Sequence, residues 1–211
     1  MNVYRTIQAE SPQSLYTEKR SRFIGCAFPA ETPEQALSAV AEVRSRYNDA
    51  RHVCWAYRLG TDDEPVERSN DDGEPSGSAG KPILGQLISR DLRNVVVAVV
   101  RYYGGVNLGT GGLAVAYKTA AGEALDKTDI REVTLYKRYR LRFPFDLINP
   151  VMMLLRDTDA EMNAPQDADA EGHIWQIRVP NARNGYFEEK ARQLYRLSAE
   201  AQDETQSAET Y

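Results

Sequence analysis

The stretch of sequence that decides the fold is NVVVAVVRYYGGVNLGTGG, which runs from Asn94 to Gly112. Valines at consecutive positions place branched side chains on both faces of a strand, so Asn94–Tyr102 is predicted to be a buried strand in the centre of a sheet. A glycine-rich turn follows, and then a helix whose alanines permit close packing on that sheet. The apolar face of this helix carries Leu113, Ala116, Tyr117, Ala120, Ala124 and Leu125.

Upstream of this stretch, strand patterns alternate with helix patterns. Residues Arg22–Phe28 and Arg51–Leu59 are rich in branched and aromatic side chains, which predicts two strands. Between them, Thr32 followed by proline marks the start of a helix. Residues Gly60–Gly80 are polar, acidic and glycine-rich, which predicts a long loop before a short helix over Pro82–Arg90; a loop of this length is more often functional than idle.

A second unit is predicted to begin near residue 131, because a strand, a helix, a strand and a helix follow in the order typical of a ferredoxin-like half-sandwich. The predicted elements are a strand at Glu132–Phe143, a helix at Pro150–Arg156 capped by Asn149, a strand at His173–Val179 and a helix at Asn184–Ser198. We therefore expect an α+β chain with domains at 1–130 and 131–199. The polar residues 200–211 are predicted to be a disordered tail, which leaves the closing strand of the second sheet unassigned.

Composition excludes several classes of protein. Of the 211 residues, 42% are hydrophobic, which is enough for a core, and a mean hydropathy of -0.56 excludes a membrane-embedded protein. The first residues lack the apolar stretch of a secretion signal, so we expect a cytoplasmic protein. Cys26 and Cys54 lack paired spacing, which favours buried free thiols over a disulfide. A net charge of -5 means that any nucleic-acid site must be a local patch.

The densest chemical signal is the glycine-rich turn that follows Arg101 and Tyr102. Its backbone N–H groups, next to a helix start, are suited to holding a phosphate or another anion. The turn is neither a Walker A motif nor a clean G-x-G-x-x-G, and the pattern by itself favours a tight turn that needs glycine for close packing. The glycines of this turn are Gly104, Gly105, Gly109, Gly111 and Gly112.

The second signal is the acidic segment that carries Asp71, Asp72 and Glu74. Three carboxylates within four residues suit a divalent cation or acid–base chemistry, although Asp-Gly and Glu-Pro are also ordinary turn sequences. His52 and Cys54 leave the same face of one strand, but parallel side chains about 6.6 Å apart make a poor nucleophile–base pair. A satisfied histidine beside a packed thiol is therefore the better interpretation. No metal site or cofactor is expected.

A third signal is a stripe of cations on one strand of the second unit. The alternating residues Tyr136, Arg138, Arg140 and Arg142 share one face and are candidates for contacting an RNA backbone and stacking on a base. The alternative is a solvated strand face.

Four segments together resemble the IMPACT family, and within it the bacterial two-domain YigZ type. They are EKRSRFI (Glu18–Ile24), ARHVCWAY (Ala50–Tyr57), DDGEPSGSAGKPIL (Asp71–Leu84) and VVRYYGGVNLGTGGL (Val99–Leu113). The resemblance implies an N-terminal βαβ-type domain like a ribosomal protein domain and domain IV of elongation factor G. It also implies a C-terminal ferredoxin-like domain like domain V of that factor.

Eukaryotic relatives of this family regulate translation, so the resemblance leads to our first hypothesis, a cytoplasmic, translation-associated binding module. Its expected partners are RNA, the ribosome or a translation-linked protein, with no membrane contact. The competing hypothesis is a metal-assisted enzyme acting on a phosphorylated or peptide-like small molecule, with His52 as general base. In both, the acidic segment and the glycine turn meet beside His52 and Arg101 in one polar surface. The oligomeric state and any catalytic residue stay open.

Overall fold

The structure is a computed structural model and describes residues 1–61, 63–162 and 166–202. It is a mixed α+β protein that divides into two compact units. The N-terminal unit is Tyr4–Val133, and the C-terminal unit consists of Met1–Val3 and the residues from Thr134 onward. None of the described helices has the length and apolarity that crossing a bilayer requires.

The N-terminal unit is built around a five-stranded antiparallel sheet. Seven strands lie in this part of the chain: β1 (Val3–Ile7), β2 (Ser14–Glu18), β3 (Ser21–Pro29), β4 (His52–Leu59), β5 (Val66–Asn70), β6 (Val95–Tyr102) and β7 (Ile130–Thr134). The sheet order is β2-β3-β6-β4-β5, and β1 pairs separately with β7. Strand β6 is central, as predicted, and seven of its eight residues are buried.

Helices cover both faces of this sheet. They are α1 (Pro33–Arg46), α2 (Gly80–Ser89) and α3 (Gly109–Asp126). Helix α1 begins where predicted, because the Thr32 side chain accepts the N–H of Gln35. It packs with Val96 and Val100 on one face, whereas α2 and α3 pack with Val97 on the other. Burial of both faces explains the consecutive valines.

The C-terminal unit places helices against one face of a second antiparallel sheet. Its elements are β8 (Tyr136–Phe143), α4 (Ile148–Asp157), β9 (Glu161–Met162), β10 (Asp167–Ala168), β11 (His173–Pro180), α5 (Asn184–Gln193) and β12 (Ser198–Gln202). Short 3-10 turns at Phe145–Leu147 and Asn181–Arg183 lead into the two helices. The sheet order is β10-β11-β8-β12, with β9 also on β11. If the two short strands β9 and β10, which both pair with β11, are counted as one interrupted edge strand, the order along the chain is the β-α-β-β-α-β order of ferredoxin-like domains.

The polar edge strands are not apparent from the sequence pattern. Strand β5 lies inside the predicted loop, and β12 lies where a disordered tail was expected, so the second sheet does have its closing strand. Both strands are largely exposed and lack an apolar alternation because they pair on one side only. Strands β1 and β2 were also missed. Residues 203–211 of the predicted tail lie outside the described residues.

Several element boundaries also differ from the prediction. The expected strand over Glu132–Phe143 is two strands, β7 and β8, which are separated at Leu135. Helix α3 begins at Gly109, so three of the five turn glycines belong to its first turn. Pro82 lies inside the first turn of α2, where its missing N–H leaves no helical hydrogen bond unmade. Asn149 lies within α4 and is not its cap, and α5 ends at Gln193.

Candidate functional site

The predicted site residues gather at one end of the N-terminal sheet. Strand β6 ends beside the beginnings of β3 and β4, where Arg101 is directly opposite both Phe23 and His52. Directly opposite residues of antiparallel strands share a face, so His52 and Arg101 project toward α2 and α3. The acidic segment and the glycine turn both adjoin this end, as the sequence analysis expected.

Arg101 and Glu74 form a buried ion pair. The Arg101 Nη1 atom donates to Glu74 Oε1 at 2.6 Å, and the Tyr117 hydroxyl donates to the same oxygen at 2.8 Å. The side chains of Arg101 and Glu74 are only 9% and 4% exposed. Burial raises the pKa of Tyr117, and the neighbouring Cys54 and Glu74 raise it further. Glu74 and Arg101 therefore lie beneath the surface and are not accessible to a ligand. The sequence prediction that both residues bind a ligand directly is wrong.

Asp71 organises the acidic segment. Its carboxylate accepts the backbone N–H groups of Gly77, Ala79 and Gly80 at 2.7, 3.0 and 2.8 Å, which closes the start of helix α2. Burial by itself raises the pKa of Asp71, but the three N–H donors outweigh this effect and hold the pKa below its ordinary value. The Asp71 carboxylate and the glycines of this segment thus hold the loop in its folded conformation.

Asp72 and the residues of β4 are also satisfied within the protein. The Asp72 carboxylate accepts from the Val53 N–H and from Arg44, each at 2.7 Å, and the His52 Nδ1 atom donates to the Asp72 carbonyl at 2.7 Å. The Cys54 thiol donates to the Asp71 carbonyl at 3.0 Å. Burial raises the pKa of Cys54 to about 12, so this thiol is not poised as a nucleophile.

These contacts bear on the enzyme hypothesis, which needs Asp71, Asp72 and Glu74 to converge. Their carboxylates instead bind three different sets of protein donors. Within residues 1–61, 63–162 and 166–202, no group of three or more His, Cys, Asp or Glu side chains is arranged to hold a metal ion. The donor set therefore does not fit the metal-assisted chemistry that this hypothesis requires.

The glycines of the turn have two different roles. A Cβ atom on Gly104 would lie 2.1 to 2.4 Å from the backbone of Arg20 and Ser21, and the Gly104 N–H donates to Ser21 Oγ at 3.0 Å. Gly104 is therefore required for close packing. Gly105 and Gly109 have positive φ values of +87° and +69°. A Cβ atom on either of them, or on Gly111, would meet open space. Gly112 would contact the Leu108 side chain at 3.2 Å.

The two tyrosines after Arg101 differ in position. Tyr102 projects to the opposite face from Arg101 and His52, where its hydroxyl donates to Asp49 at 2.6 Å and the Arg22 guanidinium lies 4.9 Å from its ring centre. Tyr102 therefore does not join the predicted surface. Tyr103, which was not among the predicted site residues, is 57% exposed, and the buried Arg101 guanidinium lies 5.6 Å from the centre of its ring. The sequence signal that could have identified it is an aromatic residue immediately after the end of a predicted strand.

The arginine stripe of β8 is matched by carboxylates. Arg142 bonds Asp169 and Glu171, each at 2.7 Å, and Arg140 is directly opposite Glu200. Arg138 is opposite Arg178, which bonds Glu161 at 2.6 Å.

Tyr136, the aromatic member of the stripe, also has a partner within the C-terminal unit. The Arg178 guanidinium covers its ring at 4.8 Å, so the base-stacking role predicted for Tyr136 would require displacing it. The alternation that places the tyrosine and the arginines on one face is confirmed, and carboxylates lie beside that face.

Comparisons with known proteins identify the family. The Impact N-terminal domain model matches residues 19–125. The chain is 34% identical to IMPACT family member YigZ of Escherichia coli K12 over 174 residues, covering 82% of this chain and 84% of the relative. An IMPACT family member of Thermus thermophilus is 39% identical over 167 residues, covering 79% and 88%.

A solved structure agrees with this assignment over nearly the whole chain. A crystal structure described as that of a hypothetical protein superimposes with a TM-score of 0.67 at 32% identity, covering 97% of this chain and 99% of the other. The similarity thus extends through both units, beyond the four segments that carry the sequence resemblance. The chain belongs to the IMPACT family.

Proposed function

We propose that this protein is a cytoplasmic, translation-associated binding module that docks on RNA, the ribosome or a translation-linked protein through the strand end of its N-terminal unit. The proposal rests on one observation: the ionisable groups of the acidic segment bind other groups of the protein and hold that segment in place. At the same end of the sheet, Gly105, Gly109 and Gly111 leave open space in front of the backbone, beside the exposed Tyr103. Such a preformed, chemically unreactive surface suits binding better than catalysis.

We also propose that the two units correspond to domains IV and V of elongation factor G. The support is the family resemblance, together with the split βαβ arrangement of β3, α1 and β4 around β6 and the ferredoxin-like order of the C-terminal sheet. Because fold does not fix function, this correspondence raises the expectation of a ribosomal partner and does not replace a binding experiment.

Sedimentation with ribosomes across a salt series tests the docking proposal. We expect the full chain to pellet with ribosomes at low salt, and Gly111→Glu to weaken pelleting by adding a charged side chain to the open surface. The matched control is Gly185→Glu, since Gly185 is an exposed glycine in the first turn of α5 with equally open surroundings. An absence of pelleting at the lowest salt, or equal loss in both variants, would contradict the proposal.

A further inference from the structure

Four exposed cations surround the strand end of the N-terminal unit: Lys19, Arg20, Arg22 and Arg51, here called the basic rim. Lys19 and Arg20 form the turn between β2 and β3, and this turn packs directly on Gly104. Arg22 is opposite Tyr102 at the end of β6, and Arg51 immediately precedes β4. The rim therefore adjoins the loop that presents Tyr103.

The charges of the basic rim are not neutralised by the protein. No carboxylate forms an ion pair with these four side chains within the described parts of the chain. Asp72 binds Arg44, whereas Glu18 and Asp49 accept from the hydroxyls of Tyr16 and Tyr102 and keep their negative charge. The four cations of the rim outnumber these two carboxylates, so the rim has a local excess of positive charge on a protein whose net charge is negative.

The backbone of the β2–β3 turn holds two cations in a conformation that long side chains rarely adopt. Lys19 and Arg20 have φ values of +44° and +68°, in the left-handed region. Two-residue hairpin turns with positive φ at both positions strongly favour Asn-Gly, and long side chains there are disfavoured. Two cations are nevertheless held in this conformation, beside the loop that carries an exposed aromatic side chain.

Resting on the proposed function, we infer that the basic rim and Tyr103 form a binding site for single-stranded RNA. Lys19 and Arg20, in the turn that packs on Gly104, contact phosphates, and the Tyr103 ring stacks on one unpaired base. Arg22, whose guanidinium lies over Tyr102 on the other face of the sheet, adds to the surrounding positive charge. Unpaired cations beside an exposed aromatic ring are the pattern with which proteins bind single strands, because every base offers a face for stacking. The Arg101 guanidinium, 5.6 Å from the centre of the Tyr103 ring, orients the ring, while its charge is balanced by Glu74.

Fluorescence anisotropy with a labelled uridine RNA of about 12 nucleotides and the full chain tests the inference. We expect binding that weakens steeply between about 50 and 200 mM salt, and a loss of at least about tenfold in affinity for the double variant Lys19→Glu with Arg20→Glu. The matched control is Arg138→Glu with Arg140→Glu in the C-terminal unit, which should leave the affinity unchanged. No binding at the lowest salt, or equal loss in both double variants, overturns the inference.

Tyr103 supplies a second, independent readout. We expect Tyr103→Ala to weaken RNA binding by roughly fivefold or more and Tyr103→Phe to preserve it, because the ring and not the hydroxyl stacks on the base. Equal affinities for all three proteins would overturn the stacking role. If the rim variant lost ribosome sedimentation although the protein bound no RNA, the surface would recognise a protein component, and the inference would fail while the proposed function stood.

Discussion

Each unit has a group of cations beside one sheet, but the two groups differ in how many of their charges are paired. In the C-terminal unit, Arg142 bonds two carboxylates, Arg178 bonds Glu161, and Arg140 has Glu200 at the directly opposite position, so carboxylates accompany the stripe. In the N-terminal unit, Arg101 is buried with its partner Glu74, and the cations of the basic rim have no carboxylate partner in the described chain. A row of cations in a sequence therefore indicates a binding surface only when the fold leaves the charges unmatched.

The largest expected effect contrasts the buried ion pair with an exposed one. Glu74→Ala leaves Arg101 buried without its carboxylate and Tyr117 without its acceptor, so we expect a loss of about 3–5 kcal/mol in the free energy of unfolding. Glu171→Ala removes an exposed partner of Arg142 whose carboxylate has no other role in the described part of the fold, and should cause no measurable change. Urea denaturation of both variants measures the difference. Comparable losses would mean that the two pairs are not energetically distinct.

The next effect tests how the basic rim is attached to the glycine turn. Gly104→Ala forces a Cβ atom into the backbone of Arg20 and Ser21, so we expect a loss of about 1–3 kcal/mol in stability. Gly111→Ala is the matched control, because its Cβ would meet open space within helix α3 and should stabilise the protein by up to about 1 kcal/mol. Thermal denaturation compares the two. Equal shifts in the same direction would contradict the packing role of Gly104.

A smaller effect concerns the carboxylate that closes α2. Asp71→Ala removes the acceptor of three backbone N–H groups and should lower stability by about 1 kcal/mol at neutral pH. Because the folded pKa lies below the ordinary value of 3.8, the ionised carboxylate contributes fully above that value, and its contribution is lost as the pH falls through the folded pKa. The gap in unfolding free energy between parent and variant should therefore close in acid. A gap that stays constant with pH would exclude this role.

The sequence predicted the core well because both faces of β6 are apolar and this pattern leaves few alternatives. It also predicted that the acidic segment with Glu74 would meet His52 and Arg101 at one surface, and the structure brings these residues to one end of the sheet. It did not predict which of them are buried, because Glu74 and Arg101 look like any exposed carboxylate and arginine until Tyr117 on α3 covers them. The partner of Arg140 was missed for a related reason: Glu200 lies in a polar edge strand without a recognisable pattern.

The smallest expected change in stability gives the sharpest separation of the two cationic regions. Lys19→Asn with Arg20→Gly restores the sequence that a turn with two positive φ values favours, so we expect stability to rise by roughly 0.5–1 kcal/mol. The same double variant should bind the uridine RNA at least about fivefold more weakly, because two phosphate contacts are lost. Arg196→Gly is the control, since Arg196 has a φ of +72° in the C-terminal unit and its replacement should leave RNA binding unchanged. If the rim variant became more stable and still bound RNA as tightly as the parent, the cations of the turn would have no role in RNA binding. If its stability rose while its affinity for RNA fell, the hairpin would retain two RNA-binding cations at the expense of stability.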